Sequence, residues 1–128
     1  MRLLLDTHTA IWWVNESEKL SSQTKALLLN DMHVRYISIA SMWEIAIKVS
    51  LGKLLTLNGD AKAFFEKLEE MPVFLHPIKR RHVEMVETLP FIHRDPFDRL
   101  LVAIAKVDGM TILTADENIH QYDVPSVW

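Results

Sequence analysis

Residues Leu3, Leu4 and Leu5 form an unbroken apolar run that stops at an acid, Asp6. A run of this length predicts a strand covered on both faces at the centre of a parallel sheet, with Asp6 at its C-terminal end. Residues 7–14 read as a helix that turns Trp12 and Trp13 inward, and 21–31 as a second with Ser21 or Ser22 as N-cap. Residues 36–39 alternate as a strand. From Ser41 a helix is expected with Ile45, Ala46 and Val49 at helical spacing, ending at Gly52. Residues 61–71 set Phe64, Phe65 and Leu68 against Lys62, Glu66, Lys67, Glu69 and Glu70, and Pro72 stops that helix.

Residues 73–75 suit a short strand, 79–89 a helix closed by Pro90, 97–107 a helix ended by Gly109, and 110–113 a strand. Strands alternating with helices in this order predict an α/β sandwich: helices flanking a mostly parallel central sheet. At 128 residues, without repeat or linker, the chain is expected to be a single domain spanning 1–128.

Composition narrows the chemistry. With 49% hydrophobic and 24% charged residues, disorder and fibrous architectures are excluded. The absence of cysteine removes disulfide scaffolds, thiol catalysis and thiolate-held metals. The apolar run at the N-terminus is far shorter than a signal peptide or membrane span requires, so a cytoplasmic protein with no membrane association is expected. The net charge of −3 lacks the Lys/Arg excess of a dedicated nucleic-acid-binding module, although bound metal and a local basic rim can serve the same purpose.

The acids fall at particular places. Asp6 ends the first strand, Glu44 follows the second, Asp95 and Asp98 open the helix from residue 97, and Asp116 follows the last long strand. The strand ends of a parallel sheet share one edge, so acids distant in sequence converge there. Taken singly, several are also helix caps: Ser41-x-x-Glu44 as a capping box, Asp95-Pro96-Phe97-Asp98 as N-cap, first-turn proline and first-turn acid, and Asp116 before a short helix reaching His120. Capping does not account for the acids ending the buried strands.

Converged carboxylates repel, and a cation relieves the conflict. Oxygen ligands without Cys or paired-histidine spacing point to Mg²⁺ or Mn²⁺. Such an ion acidifies water for in-line attack on a phosphodiester.

Four blocks of sequence carry a resemblance over nearly the whole chain: Leu4-Leu5-Asp6-Thr7-His8, Ser41-x-Trp43-Glu44-Ile45-Ala46-Ile47-Lys48, the stretch from His93 through Asp95-Pro96-Phe97-Asp98-Arg99 to Ala105, and Leu113-Thr114-x-Asp116. In this order and spacing they resemble the PIN-domain nucleases, in particular the VapC-like toxins of bacterial toxin–antitoxin modules. The resemblance implies a PIN-like α/β/α sandwich, Mg²⁺- or Mn²⁺-dependent endoribonuclease activity, a homodimer, and a cognate antitoxin whose tail occupies the active site. Asp6, Glu44, Asp98 and Asp116 match the four family acids. Asp6 and Asp98 are the foremost expected metal ligands, followed by Asp116, with Glu44 and Asp95 as further candidates and Thr7 and Thr114 as supporting residues.

Lys48, Arg94 and Arg99 each lie close in sequence to one of these acids and are candidates to hold an RNA phosphate. Arg99 pairing with Asp95 as a structural bridge is the alternative. The basic run Lys79-Arg80-Arg81-His82 reads either as a solvated helix face or as an RNA track. Trp12, Trp13 and Trp43 are expected in the core, with a dimer or antitoxin groove as the other role for Trp12 or Trp13, and Trp128 carries no reading. His8 and His93 flank the site and are given no catalytic role. Two rival functions remain: a non-catalytic PIN-fold module binding RNA or protein, and a phosphoryl-transfer enzyme with Asp6 as nucleophile. The latter is weakened by His8, which stands where haloacid-dehalogenase-like phosphatases have a second Asp.

Overall fold

The computed structural model describes residues 1–53 and 60–128. Strand β1 (Arg2–Leu5) leads into helices α1 (Thr7–Val14) and α2 (Ser22–Leu29), and β2 (Val34–Ser38) into α3 (Ile39–Ser50) and α4 (Ala61–Glu69). Strand β3 (Phe74–His76) leads into α5 (Arg80–Thr88) and α6 (Pro96–Asp108). Then β4 (Thr111–Leu113), α7 (Glu117–His120) and β5 (Ser126–Val127) complete the order.

The five strands form one sheet in the order β3-β2-β1-β4-β5, with every neighbouring pair parallel. Leu3, Leu4 and Leu5 are fully buried because β1 lies at the centre. Strand periodicity then divides them between two cores. Leu3 and Leu5 pack with Ala10, Ile11, Leu28, Ile45, Phe64 and Leu68 from α1–α4, whereas Leu4 meets Leu101, Val102, Ile104 and Ile119 from α6 and α7. The result is three layers. Each leucine buried this way contributes about 1.5–3 kcal/mol, so the β1 triplet anchors both cores.

Several boundaries depart from the pattern, each for a local reason. Strand β2 runs from Val34 to Ser38, and Ile39 belongs to α3 instead of the strand. The Ser38 hydroxyl accepts the Ala40 N–H at 3.0 Å and so starts the helix earlier than Ser41. The expected Ser41–Glu44 capping box is therefore absent: Ser41 lies inside α3 with its buried hydroxyl unpartnered, and Glu44 sits in the second turn. This rotation also corrects Trp43, which is 61% exposed instead of in the core. Trp12 and Trp13 do pack against the α1–α4 core. The short strand β5 had no sequence signal, yet it carries Trp128 onto Trp12 with ring centroids 5.6 Å apart.

The chain begins at the sheet centre, builds outward through β2 and β3, then crosses back to place β4 on the other side of β1. The strand order reverses between β1 and β4, and a parallel α/β sheet opens a crevice beyond the C-terminal strand ends at such a point. The Asp6 N–H extends the β1–β4 ladder by donating to the Leu113 carbonyl at 3.1 Å. Both strands thus deliver their following residues to the same crevice.

Candidate active site

Asp6 leaves β1 and caps α1. Its Oδ1 accepts the Thr9 N–H at 2.7 Å, and its Oδ2 accepts the Thr114 hydroxyl. Thr9 in turn donates its hydroxyl to the Leu113 carbonyl at 2.9 Å, which ties the start of α1 to β4. Burial pushes the Asp6 carboxyl above the ordinary aspartate range, and the hydrogen bonds from Thr114 and Thr9 offset part of that shift.

Glu44 reaches the crevice from α3 and is 4% exposed. Each of its oxygens is engaged: Thr7 donates to Oε1 at 2.5 Å and Lys48 to Oε2 at 2.7 Å. Lys48 lies one helical turn beyond Glu44, the spacing at which an acid and a following base meet on one face.

The remaining acids arrive on helix starts. Asp95 caps α6 by accepting the Phe97 and Asp98 N–H groups at 2.9 and 3.2 Å, and Asp116 caps α7 by accepting the Asn118 N–H at 2.8 Å. Thr114 accepts the Asp116 N–H at 3.0 Å while donating to Asp6, so one threonine ties these two acids together. Capping and convergence therefore coexist. Asp98 and Glu44, by contrast, cap nothing.

Asp6, Thr7, Glu44, Lys48, Asp95, Asp98 and Asp116 line one cleft of about 360 Å³, together with His8, Trp12 and Ala115. Burial first, then the neighbouring charges of Asp95, Asp116, Asp6 and Glu44, push the Asp98 carboxyl up to about 8. This is the electrostatic signature of carboxylates brought together with too little positive charge among them. Lys48 is the one lysine or arginine on the cleft wall among the described residues.

Arg99 is not placed to meet a phosphate. It is 7% exposed, and its guanidinium donates to the Pro90 carbonyl at 2.8 Å and to the Tyr122 hydroxyl at 3.1 Å. Nor does it pair with Asp95. Arg94 is exposed on the loop before α6. In the basic run, His82 is fully buried and bonded to Asp108 at 2.6 Å, Arg81 reaches the same carboxylate at 3.1 Å, and Arg80 pairs with Glu84 at 2.6 Å.

His93 is closer to the acids than its sequence position reveals. Its Nε2 lies 3.3 Å from Asp98 Oδ2, and its ring joins Asp98 and Asp116 in a group whose candidate ligand atoms all lie within 4.8 Å of one another. Tyr122, which contacts the same ring, had no motif to mark it. The donor set fits a hard divalent cation, since it is rich in carboxylate oxygen and its mutual repulsion is relieved by added positive charge.

The PIN domain family matches residues 3–125, and the chain belongs to that family. Its fold is similar to a chain of VapBC2 from Rickettsia felis, solved bound to a DNA fragment from its promoter, with TM-score 0.72 and 14% identity over 99% of this chain and 98% of that one. VapBC-1 from nontypeable Haemophilus influenzae gives 0.67 at 14% identity, covering 99% and 97% of the two chains. A toxin–antitoxin complex from Klebsiella pneumoniae gives 0.64 at 14%, covering 98% and 96%. No curated protein matches the chain by sequence.

Proposed function

We propose that the chain is the toxin of a toxin–antitoxin pair, an endoribonuclease that uses Mg²⁺ or Mn²⁺ to hydrolyse RNA phosphodiesters. The observation that carries this reading is the convergence of Asp6, Glu44, Asp95, Asp98 and Asp116 in one cleft, where burial and the neighbouring acids push the Asp98 carboxyl up to about 8. The cation supplies acidified water and charge neutralisation at the phosphate.

The chain's own residues divide the remaining work. Asp6, Asp98 and Asp116 hold the cation, with Thr114 keeping Asp6 and Asp116 in register. Glu44, locked between Thr7 and Lys48, completes the acidic wall. Lys48 and the exposed Arg94 offer positive charge to the RNA backbone.

The similar folds of VapBC2, VapBC-1 and the Klebsiella pneumoniae toxin–antitoxin complex support an antitoxin as protein partner. A homodimer and a cytoplasmic location belong to the same reading. No helix among the described residues is long and apolar enough to cross a membrane.

Purified protein is expected to cut single-stranded RNA with Mg²⁺ or Mn²⁺ and to stop on chelation. RNA left intact under both metals would overturn the reading. A melting temperature indifferent to either cation would favour a non-catalytic binding module, because a ligand that binds the folded state must stabilise it.

A further inference from the structure

Behind Asp98 runs a chain of hydrogen bonds whose direction can be read. Arg99, the next residue on α6, donates Nη1 to the Tyr122 hydroxyl at 3.1 Å. A guanidinium has no lone pair to offer, so the tyrosine oxygen is the acceptor. Tyr122 is 4% exposed, and among the described residues its hydroxyl has one other partner, His93 Nδ1 at 2.9 Å. The phenolic proton must point there, since any other direction leaves it buried without an acceptor. Nδ1 is therefore the accepting nitrogen and the neutral ring carries its hydrogen on Nε2. That hydrogen faces Asp98 Oδ2 across 3.3 Å.

We propose that His93 is a positioning residue for the metal cleft: fixed as its Nε2–H tautomer by Tyr122 and Arg99, it holds one oxygen of Asp98 and leaves the other to the cation. The proposal rests on the reading of the acidic cleft as a divalent-cation site. His93 also has the geometry of a ligand, since its ring lies with Asp98 and Asp116 in one compact group. Ligation through Nε2 requires that nitrogen to be bare, and the Tyr122 bond assigns the proton to it. Arg99, whose place in the motif suggested a phosphate contact, acts in this arrangement from behind the site.

The direct test is ¹⁵N NMR of the histidine rings, first without metal and then with Mg²⁺. The His93 ring is expected to show the Nε2–H tautomer in both states, and Tyr122→Phe to convert it to a mixture of tautomers. In parallel, calorimetric Mg²⁺ titration of His93→Ala is expected to show affinity about tenfold weaker, the scale on which loss of an outer hydrogen-bond partner acts. His93→Gln, whose amide nitrogen replaces Nε2 as donor, should recover most of it.

The Nδ1–H tautomer or an imidazolium in the wild-type protein would overturn the proposal. So would loss of the Nε2 proton on adding Mg²⁺, or a Gln variant that binds no better than Ala. If the wild type binds Mg²⁺ with the expected tautomer yet cuts no RNA, the positioning role stands and the nuclease reading alone falls.

Discussion

Asp98 in the first turn of α6 and Asp108 at its last residue share a helix and a covered position, yet their carboxyls titrate in opposite directions. Burial and four neighbouring acids push Asp98 up to about 8. Burial also acts on Asp108, but hydrogen bonds from His76, His82 and Arg81 outweigh it and hold that carboxyl at about 2. The helix dipole predicts the reverse ranking, because it favours an anion at the N-terminus and disfavours one at the C-terminus. That effect is worth about 0.3–1 kcal/mol and is overridden at both ends by immediate partners. One end is short of positive charge and the other is supplied with it, which separates the proposed ligand site from a structural tie.

The sharpest way to break this contrast is to neutralise Asp98. On the proposed reading, in which Asp98 holds the cation, Asp98→Asn is expected to lower RNA cleavage by at least about 100-fold. The metal-free protein should melt no lower than wild type, because burial and four neighbouring acids already disfavour the charge that the substitution removes. Single-turnover cleavage and a metal-free melting curve check the two halves. Loss of both activity and fold would instead make Asp98 a structural residue.

The pH dependence has a definite sign. A carboxyl at about 8 in the folded state and near 3.8 in the unfolded chain holds its proton longer when folded. The metal-free protein should therefore lose stability progressively as pH rises from about 4 to about 8, and the raised Asp6 adds in the same direction. On the proposed reading the cation binds ionised carboxylates, so the rise in melting temperature produced by Mg²⁺ should be larger at pH 8 than at pH 6. An equal rise at both values would contradict the shift assigned to Asp98.

At the other end of the helix the expected loss is in stability alone. Asp108→Ala removes the acceptor for His76, His82 and Arg81 and strands a fully buried imidazole N–H. A cost of about 2–4 kcal/mol in urea unfolding follows from leaving such a donor unpaired. Its acid profile also differs from that of Asp98: with the folded value depressed, its stabilisation is present above about 4 and is lost as pH falls through about 2. The carboxylate is covered by side chains yet shallow, and solvent screening limits that contribution to about 1–2 kcal/mol. RNA cleavage per folded molecule should not change.

The same two ends mark what was legible in the sequence. The Asp-Pro-Phe-Asp segment announced its helix start and its acids, because caps and a first-turn proline are local signals that survive folding unchanged. The apolar β1 run likewise announced the sheet centre. Nothing local announced Asp108, whose partners lie 26 to 32 residues away, nor the Tyr122–His93 contact across 29. Arg99 was expected at a phosphate because it follows an acid, and Trp43 in the core because it lies in a helix, but neither fact says which side of the helix a residue occupies. Adjacent helical residues point about 100° apart, so Trp43 faces outward beside buried Glu44, and Arg99 turns into the protein behind Asp98.

The smallest expected effect concerns the basic run that begins α5. Arg80 pairs with Glu84 at 2.6 Å, but both side chains are largely exposed, and an exposed pair at this spacing contributes less than about 0.5 kcal/mol. Arg80→Ala should accordingly leave urea stability within that margin, in contrast to Asp108→Ala in the tie beside it. The ten steps along α6 from Asp98 to Asp108 rise about 15 Å, and Arg81 bonds at the far end, so this run stands away from the cleft. The paired variant Lys79→Ala with Arg80→Ala should therefore change KM for RNA by less than about twofold at moderate salt, where charges beyond about 10 Å are screened. A rise of tenfold with kcat unchanged would show that the backbone of the RNA extends from the acidic cleft to the start of α5, and that both ends of α6 serve the substrate.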